Sequence, residues 1–346
     1  MTVKSMDEWQ RLSVKILQAA GANESNAQSV AEALVKADLR GVHSHGLRQL
    51  PGYVKAIRNG ELMPTTYPEI REESPTTALV SSNWTFGQVG ARFAIKVAIA
   101  KATKHRVAVV SLVEAHHIGR LGEYSEMATA EGMVCLIWAS GYSQIQQTAV
   151  PYGGRDKVLN TNPLSIGFPV GEESPMVLDF ATTATAGGKV MLAKINGTQV
   201  PPGSIVDRDG NPTTDPEDFV NGGSQLPFGG HKGYAIMLAV EFLGRILTGS
   251  DAHAEPNRGG NHRHQGVTMM VMKADLFSPK EDVAGRADEM ARQLRAVPPA
   301  PGFKEVLVPG DLEARTRSAR SREGIPLSDG VWKSLVEAAA SLNIAL

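Results

Sequence analysis

Two imidazoles, a hydroxyl, a guanidinium and a phenol fall within one short stretch, His43-Ser44-His45-Gly46 with Arg48 and Tyr53 just downstream. A guanidinium clamps a carboxylate through two parallel hydrogen bonds, and an imidazole titrates near neutral pH. The same stretch also serves as a loop whose His and Ser cap neighbouring helices. A second pair, Ala115-His116-His117-Ile118-Gly119, follows directly on the apolar run Val107 to Leu112. Ligands of open α/β sheets bind beyond the carboxyl ends of strands, so this pair is placed for chemistry. Neighbouring residues of an extended segment point opposite ways, so one of the two is expected to face a ligand. Gly229-Gly230-His231-Lys232-Gly233 opens an apolar helical stretch. Free N–H groups at a helix start attract anions, and Lys232 adds a point charge suited to phosphate. Asn261-His262-Arg263-His264 lacks acidic neighbours at helical spacing and reads as a polar loop, not a metal site. Asp179, at the end of a β run, either meets a ribose hydroxyl or caps.

The elements that would position these groups are legible in outline. Ser5 and Glu8 form a capping box for a helix running to Ala20 with Trp9, Leu12 and Ile16 on one face, and Gly21 stops it. A second helix runs to about Leu39, and a third amphipathic stretch carries Leu50, Tyr53, Val54 and Ile57, so the first sixty or so residues are helical. Beyond them, helices at Phe93 to Lys104 and Glu123 to Ala130 alternate with β runs at Val107 to Leu112, Met133 to Trp138, Val177 to Phe180 and Val267 to Met272. That alternation predicts an α/β layered core. The Pro-, Gly- and Asp-rich chain from Lys189 to Leu226 reads as a long irregular excursion, and such loops are uncommon in compact monomers. Gly233 to Leu247 reads as a mostly apolar, buried helix. Helices at Glu281 to Arg295 and at the C-terminus close the chain. The expected division is a helical region 1–75 packing with 310–346, and an α/β core over 76–309 that binds cofactor and substrate.

Composition narrows the function classes. The 346 residues carry 35 basic and 36 acidic side chains, a net charge of -1, so nucleic acid is not an expected partner. Hydrophobic residues make up 42% and charged residues 21%, the balance of a globular chain. The single cysteine, Cys135, excludes an internal disulfide or a multi-cysteine zinc site and fits a reducing compartment. The N-terminus lacks the apolar region of a secretory signal, and Glu241 and Arg245 interrupt the longest apolar stretch, so no membrane span is expected. A cytoplasmic location follows from these readings. G-x-G-x-x-G after a strand, G-x-x-x-x-G-K-[ST], G-x-S-x-G and H-E-x-x-H are all absent. A nucleotide would have to be held by other means.

Taken in order, ADLRGVHSHGLRQLPGYV (38–55), HHIGRLGEY (116–124), LNTNPLSIGFP (159–169), PMVLDFATT (175–183), PFGGHKGYA (227–235) and VPGDLEARTR (308–317) resemble the type-2 malate/L-lactate dehydrogenase family, also called L-sulfolactate dehydrogenase-like. The resemblance implies a non-Rossmann α/β fold with a helical N-terminal region, an NAD or NADP cofactor, and an intertwined homodimer. It implies hydride transfer between a small 2-hydroxy acid and its 2-keto acid. The alternative is NADPH-dependent reduction of cyclic imino acids such as piperideine-2-carboxylate and pyrroline-2-carboxylate. By position, His45 corresponds to the proton donor of some reductases and His117 to the proton acceptor of ureidoglycolate-type dehydrogenases, with Ser44 beside the substrate. Which of the two imidazoles moves the proton stays open. Arg48 and Tyr53 are the candidate substrate contacts. Thr161, Leu178, Asp179, Phe180, Ala181, His231, Lys232, Gly310 and Asp311 fall at cofactor-contacting positions. Many members carry Arg where this chain has Gln49. The segment Ser140 to Pro151 is several residues longer than usual, which implies an atypical substrate.

Overall fold

The structure, a computed structural model, describes residues 1–141, 147–171 and 174–346. The centre of the Ser140 to Pro151 segment therefore lies outside the described residues.

The helix Met6–Ala19 begins at the capping box read from the sequence: Glu8 N donates to Ser5 Oγ and Ser5 N to the Glu8 carboxylate. Its buried face, Trp9, Ile16 and Leu17, meets the helices Glu24–Leu39 and Leu50–Arg58. The C-terminal chain belongs to the same core. Strand Thr2–Lys4 pairs antiparallel with Ile325–Leu327, Trp9 Nε1 donates to Ile325 O at 3.0 Å, and Leu335 and Ala339 of the helix Asp329–Ala340 are fully buried there.

A seven-stranded sheet forms the second core. Its spatial order is Glu69–Glu73, Thr77–Ser81, Val107–Val113, Gly266–Lys273, Met133–Ser140, Leu164–Phe168 and Met176–Phe180. Only Thr77–Ser81 with Val107–Val113 is parallel; every other pairing is antiparallel. That pattern is not a doubly wound sheet. The helix Gly87–His105 lays Ala91, Ala94, Ile95 and Ala98 on Val80, Val110 and Leu112, the alanines allowing close approach.

Three sequence expectations need amendment. Glu69–Glu73, Thr77–Ser81 and Leu164–Phe168 are strands of this sheet the reading did not anticipate. The first is a fully exposed charged edge strand with no apolar alternation to betray it. The stretch from 189 to 226 is not irregular. It lies within a unit holding the helix Gly187–Asn196, three two-residue strands and a small core of Val190, Val200 and Ile205. Its Pro, Gly and Asp residues make turns, as where the Asp207 carboxylate accepts from the Asp209 and Asn211 amides. Finally, the apolar helix is only half buried. His231–Glu241 and the π turn Phe242–Ile246 bury Met237, Val240 and Gly244, whereas Phe242, Ile246 and Leu247 are more than half exposed. Among the described residues, no helix is long and apolar enough to cross a membrane.

Candidate active site

Asp38, in the last turn of the helix Glu24–Leu39, builds the turn that carries His45. Its carboxylate is almost fully buried and accepts from Leu47 N at 2.7 Å and from His43 Nδ1 at 2.6 Å. A guanidinium only donates, so Arg320, 3.1 Å from His43 Nε2, leaves the imidazole proton on Nδ1 for Asp38. A Cβ at position 46 would lie 2.2 Å from the Asp38 carboxylate, so only glycine passes here. Ser44 and Arg48 project outward from this turn and are exposed, with Arg48 reaching toward Gly188.

His116 and His117 leave the end of strand Val107–Val113 through Glu114, a non-glycine residue at φ +53°. Glu114 is pinned by Arg71 and by the Ser81 hydroxyl. The helix Gly87–His105 starts against the His116 and His117 carbonyls. A Cβ on Gly87 would lie 2.0 Å from one and 2.4 Å from the other.

These two segments meet. His45 Nδ1 lies 3.3 Å from His117 Nε2, with the rings 5.3 Å apart and inclined by 17°. The Tyr53 hydroxyl lies 2.8 Å from His117 Nδ1 and takes a 2.6 Å hydrogen bond from Gln88 Nε2. Tyr53 is thus 2% exposed and stands behind His117, not in open space. Both His117 nitrogens are engaged within the protein. Among the described residues nothing occupies His45 Nε2. His116 and His262 complete the cluster, the His262 ring lying 5.1 Å from His116 and 5.3 Å from His117. Both members of the His116-His117 pair therefore join the cluster, in place of the single one expected from alternation along an extended segment.

The cluster is electrically neutral. Burial pulls His45 down to about 4, with Arg120 and Arg48 adding repulsion, and burial alone takes His116 to about 4. Burial and the neighbouring imidazoles hold His117 and His262 well below 6.5. Burial also raises Tyr53, so its phenol keeps its proton. Among the described residues, no three His, Cys, Asp or Glu side chains are arranged to hold a metal ion.

The remaining candidates belong to other segments of the chain. Asp179 accepts from Gly122 N at 2.7 Å and shares a cleft of about 470 Å³ with Gly310, Arg40, Arg120 and Arg317. Leu178 and Ala181 are half-buried on either side of it, and the Phe180 ring packs 5.8 Å from Phe228 at the approach to the helix His231–Glu241. The Thr161 carbonyl accepts from Thr182 N and Oγ1 and so anchors the end of the Met176–Phe180 strand. The Asp311 carboxylate is held by Arg295 and by Val308 N. His231 faces Tyr152 with rings 5.9 Å apart, and Lys232 is exposed. Among the described residues no side chain caps the start of that helix, which leaves its first amides and Lys232 to an anion. These features fit a dinucleotide pyrophosphate.

Sequence reasoning missed Asp38, Gln88, Arg120 and the place of His262. His262 had a signal, its own ring in a His-rich loop, but nothing in the sequence says that the loop folds over His116.

A family model described as malate/L-lactate dehydrogenase matches residues 5–336. The malate/(S)-sulfolactate dehydrogenase of Methanothermus fervidus is 34% identical over 345 residues, covering 99% of this chain and 98% of that protein. Hydroxycarboxylate dehydrogenase B of Escherichia coli K12 is 34% identical, covering 94% and 90%. Among solved structures, the sulfolactate dehydrogenase of Methanocaldococcus jannaschii superposes with a TM-score of 0.89 at 32% identity, covering 99% and 98%. The Δ1-piperideine-2-carboxylate reductase of Pseudomonas syringae gives 0.86 at 30% identity, covering 98% and 100%.

Proposed function

Because this chain belongs to the malate/L-lactate dehydrogenase family, we propose that it interconverts a small 2-hydroxy acid and its 2-keto acid with NAD or NADP as cofactor. The observation that carries the reading is the neutral His45–His117 pair, which leaves His45 Nε2 open beside Ser44 and Arg48. The nicotinamide, when bound, supplies or accepts the hydride, chemistry that belongs to the cofactor. The chain's own residues do the rest. Arg48 holds the substrate carboxylate, a role its guanidinium suits. Ser44 lies beside the reacting oxygen. His45 gives a hydrogen bond from Nε2 to that oxygen and passes it the proton in reduction. Its Nδ1 meanwhile takes the proton of His117 Nε2, and His117 Nδ1 takes that of the Tyr53 hydroxyl, which is reprotonated from solvent after the step. A neutral imidazole can polarise a carbonyl in this way. Leu178, Asp179, Phe180, Ala181, Thr161, Gly310 and Asp311 line the cofactor's path, with His231 and Lys232 at its phosphates.

Reduction of a cyclic imino acid is the second reading. It is favoured by the likeness to the piperideine-2-carboxylate reductase and needs the same carboxylate clamp and proton.

The exposed apolar side of the helix starting at His231 favours a homodimer, in which a second copy covers Phe242 and Ile246. The lone buried Cys135 fits a cytoplasmic protein. We take 1–75 with 310–346 as one unit and 76–309 as the other, since Trp9 and Leu335 share a core apart from that of the sheet, with the strand Glu69–Glu73 reaching across to the sheet's edge. The test is absorbance-monitored oxidation of NADH and NADPH against a panel of 2-keto acids and cyclic imines. Turnover of a 2-keto acid supports the first reading, turnover of a cyclic imine alone the second, and no turnover contradicts both.

A further inference from the structure

We propose that Gln88 is a positioning residue that fixes the direction of the hydrogen bonds running from Tyr53 through His117 to His45. The inference rests on the functional reading above and deepens it.

Gln88 sits in the first turn of the helix Gly87–His105 and is 1% exposed. Its amide nitrogen lies 2.6 Å from the Tyr53 hydroxyl oxygen. An amide nitrogen only donates, so the phenol oxygen accepts, and the phenol's own proton goes to its other neighbour, His117 Nδ1, 2.8 Å away. His117 Nδ1 is then bare and its Nε2 carries the ring proton. That proton points at His45 Nδ1, 3.3 Å off, and leaves the His45 proton on Nε2. One buried amide thus decides which nitrogen of an imidazole two residues away presents a proton. The placement is enforced, because the Gly87 Cα lies against the His116 and His117 carbonyls and a side chain on Gly119 would meet Gln88. Burial favours neutral forms for Tyr53, His117 and His45 alike, so direction and not charge is the variable being set.

Two substitutions separate this role from packing. Gln88→Met keeps the volume and removes the donor. Gln88→Glu keeps the shape and places an acceptor against the phenol, which draws the Tyr53 proton away and obliges His117 Nδ1 to donate. In histidine-¹⁵N-labelled full-length protein without cofactor or substrate, His117, assigned with His117→Asn, should carry its proton on Nε2. Gln88→Met should give a mixture and Gln88→Glu should move the proton to Nδ1. With a turned-over keto acid or cyclic imine, Q88M should lower kcat about tenfold and Q88E about a hundredfold with little change in KM, the usual range for groups that orient a catalytic ligand. Adding Gln88→Met to Tyr53→Phe should cost less than about twofold more, because Gln88 acts through that hydroxyl. The proposal is overturned if both variants leave the His117 tautomer unchanged, if the near-isosteric Q88E is the more active of the two, or if the losses in Q88M and Y53F multiply. Should Q88E not fold, the Q88M/Y53F cycle decides alone. Absence of any turnover by the wild-type protein would sink the functional reading, yet the tautomer spectra would still judge Gln88.

Discussion

His45 Nδ1 stands 3.3 Å from His117 Nε2, two nearly parallel imidazoles that the fold keeps uncharged. Holding them neutral has a measurable consequence for stability. Unfolded, these side chains titrate near 6.5; folded, His45 and His116 titrate at about 4. Between those values the unfolded chain binds more protons, so stability is fully present above 6.5 and is lost as pH falls toward 4. For the buried His116 the whole displacement corresponds to about 3 kcal/mol. Denaturant unfolding at pH 7 and pH 5 should show a marked loss on acidification, and His116→Phe should remove about 2 kcal/mol of it. A stability that does not change between those pH values would contradict neutral imidazoles.

Asp38 is expected to matter as much as the groups it holds. Asp38→Ala leaves the buried Leu47 amide without its acceptor, a cost of about 1–3 kcal/mol. It also frees the turn that aims His45, and displacement by about 1 Å costs about a hundredfold in rate. Gly46→Ala should reproduce the rate loss by pushing the Asp38 carboxylate aside. Steady-state kinetics with thermal melts check both; an active D38A with an unchanged melt would remove Asp38 from the site.

Much of this architecture is legible in the sequence because local physics wrote it there. The Ser5–Glu8 box, the alternation of apolar strands and alanine-rich helices, and the glycines of His43–Gly46 and Gly229–Gly233 each follow from near neighbours. What is not legible depends on residues far apart in the chain. Gln88 gains its meaning from Tyr53, thirty-five positions away, and His262 from His116, which no spacing rule connects. The apolar stretch Gly233 to Leu247 reads as buried because composition reports hydrophobicity and not what covers it. In the single chain half of that helix is open.

That open face yields a prediction of its own. Phe242 is 56% and Leu247 64% exposed, and contiguous apolar surface of this kind marks an interface. Phe242→Asp should convert a dimer to a monomer by light scattering at micromolar concentration. A wild-type protein that is already monomeric and fully active would refute the dimer.

Under the proposed function the start of the helix His231–Glu241 receives the cofactor's phosphates. Lys232→Ala should weaken NADH or NADPH binding about tenfold, equivalent to about 1.4 kcal/mol. The rise in melting temperature that cofactor gives the wild-type protein should shrink accordingly. An unchanged dissociation constant by calorimetry would move the phosphates elsewhere.

The most direct test of the account is the turnover of His45→Asn, measured as oxidation of NADH or NADPH with whichever 2-keto acid or cyclic imine the wild-type enzyme reduces. A positioned acid contributes about 10²–10⁴-fold. The account predicts a kcat lowered by that factor, with cofactor affinity and melting temperature unchanged. A kcat within a few-fold of wild type would contradict it, because His45 could not then be the group that hands the proton to substrate.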